Sequence, residues 1–468
     1  MKFFFICSIT AIFIANSFAN TWKVGISRLY KVPSQVASLV SNGDTIDIDA
    51  GVYESDVAKW TSSNLLIRGI GGMAHLKANG KAFGGKAIWV IAGDNTRLEF
   101  IEFSLCSVPD KNGAGIRQEG KNLTVSHCSF HDNENGILAG TVNPSHIFIE
   151  YSEFNNNGFG DGQSHNLYIN NVDTLTFQYN YTHNASIGHE LKSRAHVNFI
   201  LYNRISDEEN GTASRSLDLP NGGQSYIIGN IIEQGPKSQN SNIIGFGLEG
   251  LSNPGPHEVY AINNTIVNNR SSGSFFNFKD GTTIFKAYNN IMAGKGNFIL
   301  GTPPTMVDTI SNLIAVDTAM FAFSNPTNYD YQLTNQSTLC FNKGTDAGIA
   351  NNYTLNPFFE YLHPNISTNR CTDDFLDVGA YEFCKATQTY GNPQTDYIAF
   401  PNPTSGKINF GLNQSTIINS VDIFNLLGRH LIHFEDNLDL DISGLKPGTY
   451  IIKINTSNST VIRTIIKL

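Results

Sequence analysis

Leu123-Thr124-Val125-Ser126-His127-Cys128, Ile147-Phe148-Ile149-Glu150-Tyr151-Ser152 and Leu175-Thr176-Phe177-Gln178-Tyr179-Asn180 are three copies of one six-residue pattern. Each alternates an apolar residue with one of another kind, the period of a half-buried strand. The pattern returns at 197–203, 226–230, 260–264 and 286–290. Its closing position, held by Cys128, Ser152, Asn180, Asn203, Asn230, Asn264 and Asn290, advances by 24, 28, 23, 27, 34 and 26 residues. Steps that uneven exclude a leucine-rich or propeller repeat. They suit a parallel β-helix, whose turns absorb insertions while its strands stay in register. One coil cannot bury its inner face, but stacked coils share a continuous core. The recurring Asn predicts an inner corner, where each side-chain amide bonds its own loop and the Asn of the next coil.

Both ends of such a stack need covering. Residues 33–40, opening on Pro33, predict a short amphipathic helix that seals the N-terminal end. Gly43-Asp44-Thr45-Ile46-Asp47-Ile48-Asp49-Ala50-Gly51-Val52-Tyr53 then begins the first coil and resembles the opening of right-handed β-helix proteins. The coil pattern fades after about residue 299. Tyr329-Asp330-Tyr331-Gln332-Leu333, Asp346-Ala347-Gly348 and Asp377-Val378-Gly379-Ala380-Tyr381-Glu382 resemble the closing coils of that fold. Residues 385–396 are polar, with Gly391 and Pro393, and read as a linker.

From residue 397 onward, short alternating strands separated by turn signals predict a small Ig-like β-sandwich. Phe400-Pro401-Asn402-Pro403-Thr404-Ser405-Gly406, Val421-Asp422-Ile423-Phe424-Asn425 with Gly428-Arg429, and Gly444-Leu445-Lys446-Pro447-Gly448-Thr449-Tyr450 resemble the C-terminal sorting domain of the type IX secretion system. That resemblance implies contact with the secretion machinery, passage across an outer membrane, removal of this domain and possible attachment to surface polysaccharide. The expected organisation is all-β: a signal peptide over 1–19, a capped right-handed parallel β-helix over 20–384, a linker over 385–396 and the sorting sandwich over 397–468.

The signal peptide rests on a three-part pattern. Lys2 supplies the charge, 3–15 a short apolar run, and Ser17-Phe18-Ala19 a small-x-small cleavage site. The run is shorter than the ~20 residues of a membrane span, and no other stretch is long enough. Cleavage would remove one of six cysteines. Five cannot all pair within one chain. Cys371 is expected to pair with Cys384 or Cys340, while Cys106 and Cys128 fill the core. A formal net charge of −9 argues against general nucleic-acid binding but leaves room for a local positive site. The chain is expected to act as a monomer.

Chemistry concentrates in Gly188-His189-Glu190-Leu191-Lys192-Ser193-Arg194-Ala195-His196, in a chain only 15% charged. Aligned on Leu167, Leu191 and Leu217, this stretch forms one rung of three, with Tyr168, Lys192 and Asp218 in one outward column. Asn166, Glu190 and Ser216 form a second column, and His165, His189 and Arg215 begin the three strands. Adjacent strands lie about 4.8 Å apart, so such side chains can meet. Glu249 lies about one coil further on. Pro220-Asn221-Gly222-Gly223 reads as a tight turn.

An amine, a guanidinium and a phenol on one exposed face suit β-elimination in a uronic-acid polysaccharide. Arg194 or Ca²⁺ would neutralise the carboxylate. Lys192 would take the neighbouring proton if the Arg194 charge favours its neutral form. Tyr168 or His189 would protonate the leaving oxygen. His165, Asn166, Arg215 and Asp218 are then candidates for substrate binding. Glu190, Asp218 and Glu249 offer the hard oxygens that Ca²⁺ prefers. Residues 25–300 resemble the β-helix group of pectate lyases, chondroitinase B and alginate lyases, in which a Lys or Arg base on an outward strand, often with Ca²⁺, recurs. Lys192 and Arg194 match that arrangement in type and placement. The other reading is a salt-bridged surface on a non-catalytic β-helix that binds glycan or a protein partner. The two-carboxylate hydrolysis of related polygalacturonases is disfavoured, because Asp218 has no adjacent aspartate.

Overall fold

The computed structural model describes residues 19–371 and 375–383 and, towards the C-terminus, 398–400, 404, 406–411, 418–425, 428–435, 440–446, 448–456 and 460–467. The expected signal peptide falls almost wholly outside these residues, and the expected linker does so entirely.

The chain is all-β and winds into a parallel β-solenoid with three strands per coil. One coil contributes Thr174–Gln178, Tyr181–His183 and Leu191–Ser193. The next contributes Val197–Leu201, Arg204–Ser206 and Leu217–Leu219. Like strands stack in register: Phe177 on Ile200, Thr182 on Ile205 and Leu191 on Leu217. Residues facing inward fill the bore, which includes the stacked rings of Phe103, Phe130 and Phe154 at 5.0 and 4.8 Å.

The Asn column lies at the corner between the first and second strands of each coil. Asn230 Oδ1 accepts from the Asn203 backbone N–H at 2.9 Å and from Asn203 Nδ2 at 3.0 Å. Asn264 and Asn290 repeat the arrangement, and the ladder runs one coil further, to Asn312. Each buried amide satisfies backbone groups that the turn would otherwise orphan.

At the N-terminal end, residues 33–40 do not form the expected helix. A single 3₁₀ turn, Pro33–Gln35, is followed by further turns. The Ser34 N–H is taken by Asp56, Ser competes with helical bonding, and the β-branched Val36 and Val40 would lose side-chain freedom in a helix. Val36, Ala37 and Val40 are still buried over the first coil.

At the other end, the expected closing coils are absent among the described residues. The last coil strand is Leu313–Ala315. From there the chain runs back along the outside of the solenoid as a strap. Lys286 Nζ donates to Ala347 O, Asn351 Nδ2 to Glu258, and the Phe358 N–H to Tyr202 OH. Asn365 Nδ2 reaches Tyr151 O before the strap returns through Gly379, whose N–H meets Asn289 O. The reason lies on the coils themselves. Outward positions Phe199, Tyr226 and Tyr260 stack in register as an aromatic stripe, and Tyr353, Leu355 and Phe359 cover it.

Cys371 is disulfide-bonded, whereas Cys106, Cys128 and Cys340 are free and buried. Pairing of Cys371 with Cys340 is thereby excluded, and Cys384 lies outside the described residues. Near the C-terminus Ile418–Asn425 pairs antiparallel with His430–Glu435 and Gly448–Thr456, and Gly448–Thr456 pairs with Thr460–Lys467. Lys407–Gly411 pairs with Ile398–Phe400 and Leu440–Asp441. Ile408, Val421, Leu440 and Ile452 share one core, compatible with an Ig-like sandwich.

Candidate functional site

The third strands stack into a ten-stranded sheet, and register places Tyr168, Lys192 and Asp218 on adjacent strands. Leu167, Leu191 and Leu217 face the bore, so these three face outward. The outward face is far from bare. The turn holding Gly247 and Gly250, with φ of 72° and 115°, brings Glu249 over it. The left-handed backbone of Gly247 is one that residues with a side chain rarely adopt, so the turn favours glycine there.

Lys192 Nζ donates to Glu249 Oε1 at 2.6 Å and lies 3.7 Å from Asp218 Oδ2, which leaves the lysine 9% exposed. Arg194 reaches the other oxygen of Glu249, donates from Nε to Tyr168 OH at 2.8 Å and from Nη1 to Asn221 Oδ1 at 2.6 Å. Arg215 Nη1 donates to Asp218 Oδ1 at 3.1 Å. Three cations thus share two carboxylates. Partial burial opposes ionisation of Glu249, but the Lys192 and Arg194 contacts outweigh it and hold this carboxyl below the usual range. Burial raises the Asp218 carboxyl above its ordinary value, against the opposing charges of Arg215 and Lys192. Asp218 Oδ2 is buried without a hydrogen-bond donor.

His165 and His189 do not face solvent. Their rings stack at 4.9 Å, and each Nδ1 accepts the backbone N–H one coil on, at His189 and Arg215. Burial pulls His165 down to about 3 and holds His189 well below its ordinary value, with nearby cations adding to both. His189 is therefore a neutral ring whose Nε2 lies 3.5 Å from Asp218 Oδ2. That geometry orients Asp218 and leaves no exposed proton for a leaving group. His165 stands edge-on to Tyr168 at 5.5 Å and supports that ring from below.

Asn166 and Glu190 depart furthest from expectation. Both are fully buried inside the coil. Asn133, Asn157 and Asn166 form a second amide ladder, with Asn157 Nδ2 donating to Asn166 Oδ1 at 2.9 Å. Glu190 takes the next rung: Oε2 accepts from Asn166 Nδ2 at 2.6 Å and Thr182 Oγ1 at 2.9 Å, and Oε1 from the Ala185 N–H at 2.8 Å. Strand alternation fails because both residues precede their strands, Leu167–Ile169 and Leu191–Ser193, at a corner where consecutive side chains can both turn inward. Asn166 is thus unavailable to substrate, and Glu190 cannot join Asp218 and Glu249 around a cation. The two remaining carboxylates are committed to lysine and arginine, while Ca²⁺ asks for six to eight oxygens. The three carboxylates therefore do not converge on one point.

Asn221, read only as part of a tight turn, is a member of the cluster. The signal was available in its position 27 residues, one coil, after Arg194. A cleft of about 520 Å³ bounded by Asn79, Asp132, Glu134 and Phe159 lies apart from the cluster and includes none of its residues.

The solenoid is similar to the crystal structure of pectate lyase Pel9A, with a TM-score of 0.53 and 14% identity, over 78% of this chain and 97% of that one. Likeness at that identity concerns the fold. No curated protein matches the chain in sequence. Among the described residues no helix is long and apolar enough to cross a membrane. Residues 398–468 match the family model described as the secretion system C-terminal sorting domain, and the chain that carries them is a type IX export substrate, secreted or attached to the cell surface.

Proposed function

We propose that the protein is a polysaccharide lyase that cleaves a uronic-acid-containing polymer by β-elimination at the Lys192 face. One observation carries the reading: Lys192 and Arg194 converge on the two oxygens of a single carboxylate, that of Glu249, which is 44% exposed. A pair that holds a glutamate this way is shaped to hold a uronate once Glu249 swings out on its glycine-flanked turn. The pectate lyase-like fold supports the same reading at the level of architecture alone.

In this scheme Arg194, with Arg215 behind it, neutralises the uronate and acidifies the proton on C5. Lys192 Nζ is the base that takes that proton, the C5 electron pair forms the C4–C5 double bond, and the C4–O bond breaks. Tyr168 hands its hydroxyl proton to the leaving oxygen. Its oxygen already accepts from Arg194 Nε, which stabilises the phenolate left behind. Asp218 and His189 orient Lys192 rather than touch the sugar.

Elimination leaves an unsaturated uronate that absorbs near about 235 nm. The mature protein, mixed with a panel of uronic-acid polymers with and without Ca²⁺, is expected to produce that absorbance with at least one. Lys192→Ala is expected to abolish it with the fold intact. Silence with every polymer defeats the reading. A second reading, a β-helix that only binds glycan or a protein partner, is favoured by the enclosure of Lys192 between Glu249 and Asp218. It predicts retention on an acidic-glycan matrix with no absorbance change.

A further inference from the structure

On a different face of the solenoid, and nearer its N-terminal end, two histidines converge on one glutamate. We propose that His75, Glu102 and His131 bind one divalent transition-metal ion of the zinc class, linking three successive coils.

His75 lies on Leu66–Lys77, Glu102 on Ile101–Ser104 and His131 on Ser129–His131, all outward on the second-strand face. His75 is in register with Glu102, and the strand of His131 pairs with that of Glu102. One ligand atom from each lies within 4.8 Å of the other two. Glu102 Oε1 is 2.9 Å from His131 Nε2 and 3.4 Å from His75 Nδ1. Ligands about 2.1 Å from a tetrahedral ion stand about 3.4 Å apart, close to both distances from Glu102 Oε1.

The second nitrogen of each ring carries the stronger argument. Both ring nitrogens of His131 face carboxylates, Nδ1 at 2.7 Å from Asp132 Oδ2 and Nε2 at 2.9 Å from Glu102 Oε1; with Asp132 holding the Nδ1 hydrogen, an ion would take the place of the hydrogen on Nε2. His75 Nε2 is engaged by Ser104 Oγ at 2.7 Å, which leaves Nδ1 towards Glu102. Metal-binding histidines are characteristically held in this way by an outer carboxylate or hydroxyl. The next His–Glu pair on the same face lacks the feature. His183 Nδ1 accepts from Asn184 Nδ2 at 3.1 Å, so its Nε2 holds the hydrogen towards Glu153 at 3.0 Å, an ordinary hydrogen bond.

Two imidazoles with one carboxylate favour zinc-class ions over Ca²⁺ or Mg²⁺. Three protein ligands leave a fourth position for water. Nothing in this site borrows from the Lys192 face, so either can fail without the other.

The test is zinc uptake by the metal-stripped full chain, read by calorimetry and by metal content after desalting. A second exposed group, Asp422, His430 and His433, could also take zinc, so His430→Gln/His433→Gln is run in parallel. Wild type is expected to retain one equivalent that His75→Gln/His131→Gln loses and His430→Gln/His433→Gln keeps. Asp132→Asn, at a position with φ of 56° that Asn tolerates, is expected to weaken binding roughly 10–100-fold. No stoichiometric uptake by wild type, or unchanged uptake by the His75/His131 double variant, overturns the proposal. If that double variant fails to fold, an unchanged affinity in Asp132→Asn does so instead.

Discussion

Glu190 sits in a dry interior with Asp207 as an electrostatic neighbour. Burial first, and Asp207 second, push its carboxyl well above the ordinary range. Burial raises Asp207 as well, against its Ser238 and Ala213 contacts. The native state therefore binds protons that the unfolded chain releases. For raised carboxyl groups the stabilising contribution is complete below the unfolded value of about 4 and is lost as pH rises through the folded one. Thermal stability of wild type relative to Glu190→Gln is thus expected to be greatest at or below about pH 4 and to decline as pH rises above it, as melting curves across a pH series would record. A constant difference would mean that Glu190 does not titrate in this window. At this scale the sequence was informative about Lys192, Arg194, Tyr168 and Asp218, because alternation within a strand decides which way a side chain points. It misled about Asn166 and Glu190, which stand at corners, where alternation lapses and polarity mimics exposure.

Each corner amide serves two coils, so the ladder's value lies in its continuity. Removing Asn230 would strip acceptors from the Asn203 N–H and its Nδ2 and leave both without water. With each orphaned buried donor costing ~1–3 kcal/mol, Asn230→Ala is expected to lower unfolding stability by about 3 kcal/mol, measurable from the denaturant midpoint. Loss of less than ~1 kcal/mol would imply that water enters the corner. The strands and this ladder were legible because both repeat at one phase from coil to coil. The N-terminal 3₁₀ turn was not, since Pro33, Val36 and Val40 present the same apolar spacing to a helix or to a chain of turns.

For the molecule as a whole, the strap over residues 347–359 is what makes an aromatic outer stripe tolerable. Phe199, Tyr226 and Tyr260 would otherwise form an apolar patch of the kind that drives association. A chain ending at residue 316 is expected to keep its β-rich spectrum, bind a hydrophobic dye more strongly and elute as oligomers. A dye-silent monomer would contradict that. Short aromatic segments such as Tyr329-Asp330-Tyr331-Gln332-Leu333 read equally well as further coils or as a covering. What distinguishes the two is the outer face of the coils: Tyr331 and Leu333 pack on Ile231, Val267 and Ile291, residues far upstream in the sequence.

The bond from Asn365 to Tyr151 joins residues 214 positions apart. Coils can stack on one another one at a time, since each touches mainly its neighbour. The seam over their aromatic side has to wait for residues that follow the last coil strand, Leu313–Ala315. Maturation therefore divides into early winding and late sealing, and between the two the chain carries a sticky, unshielded flank through its most vulnerable period.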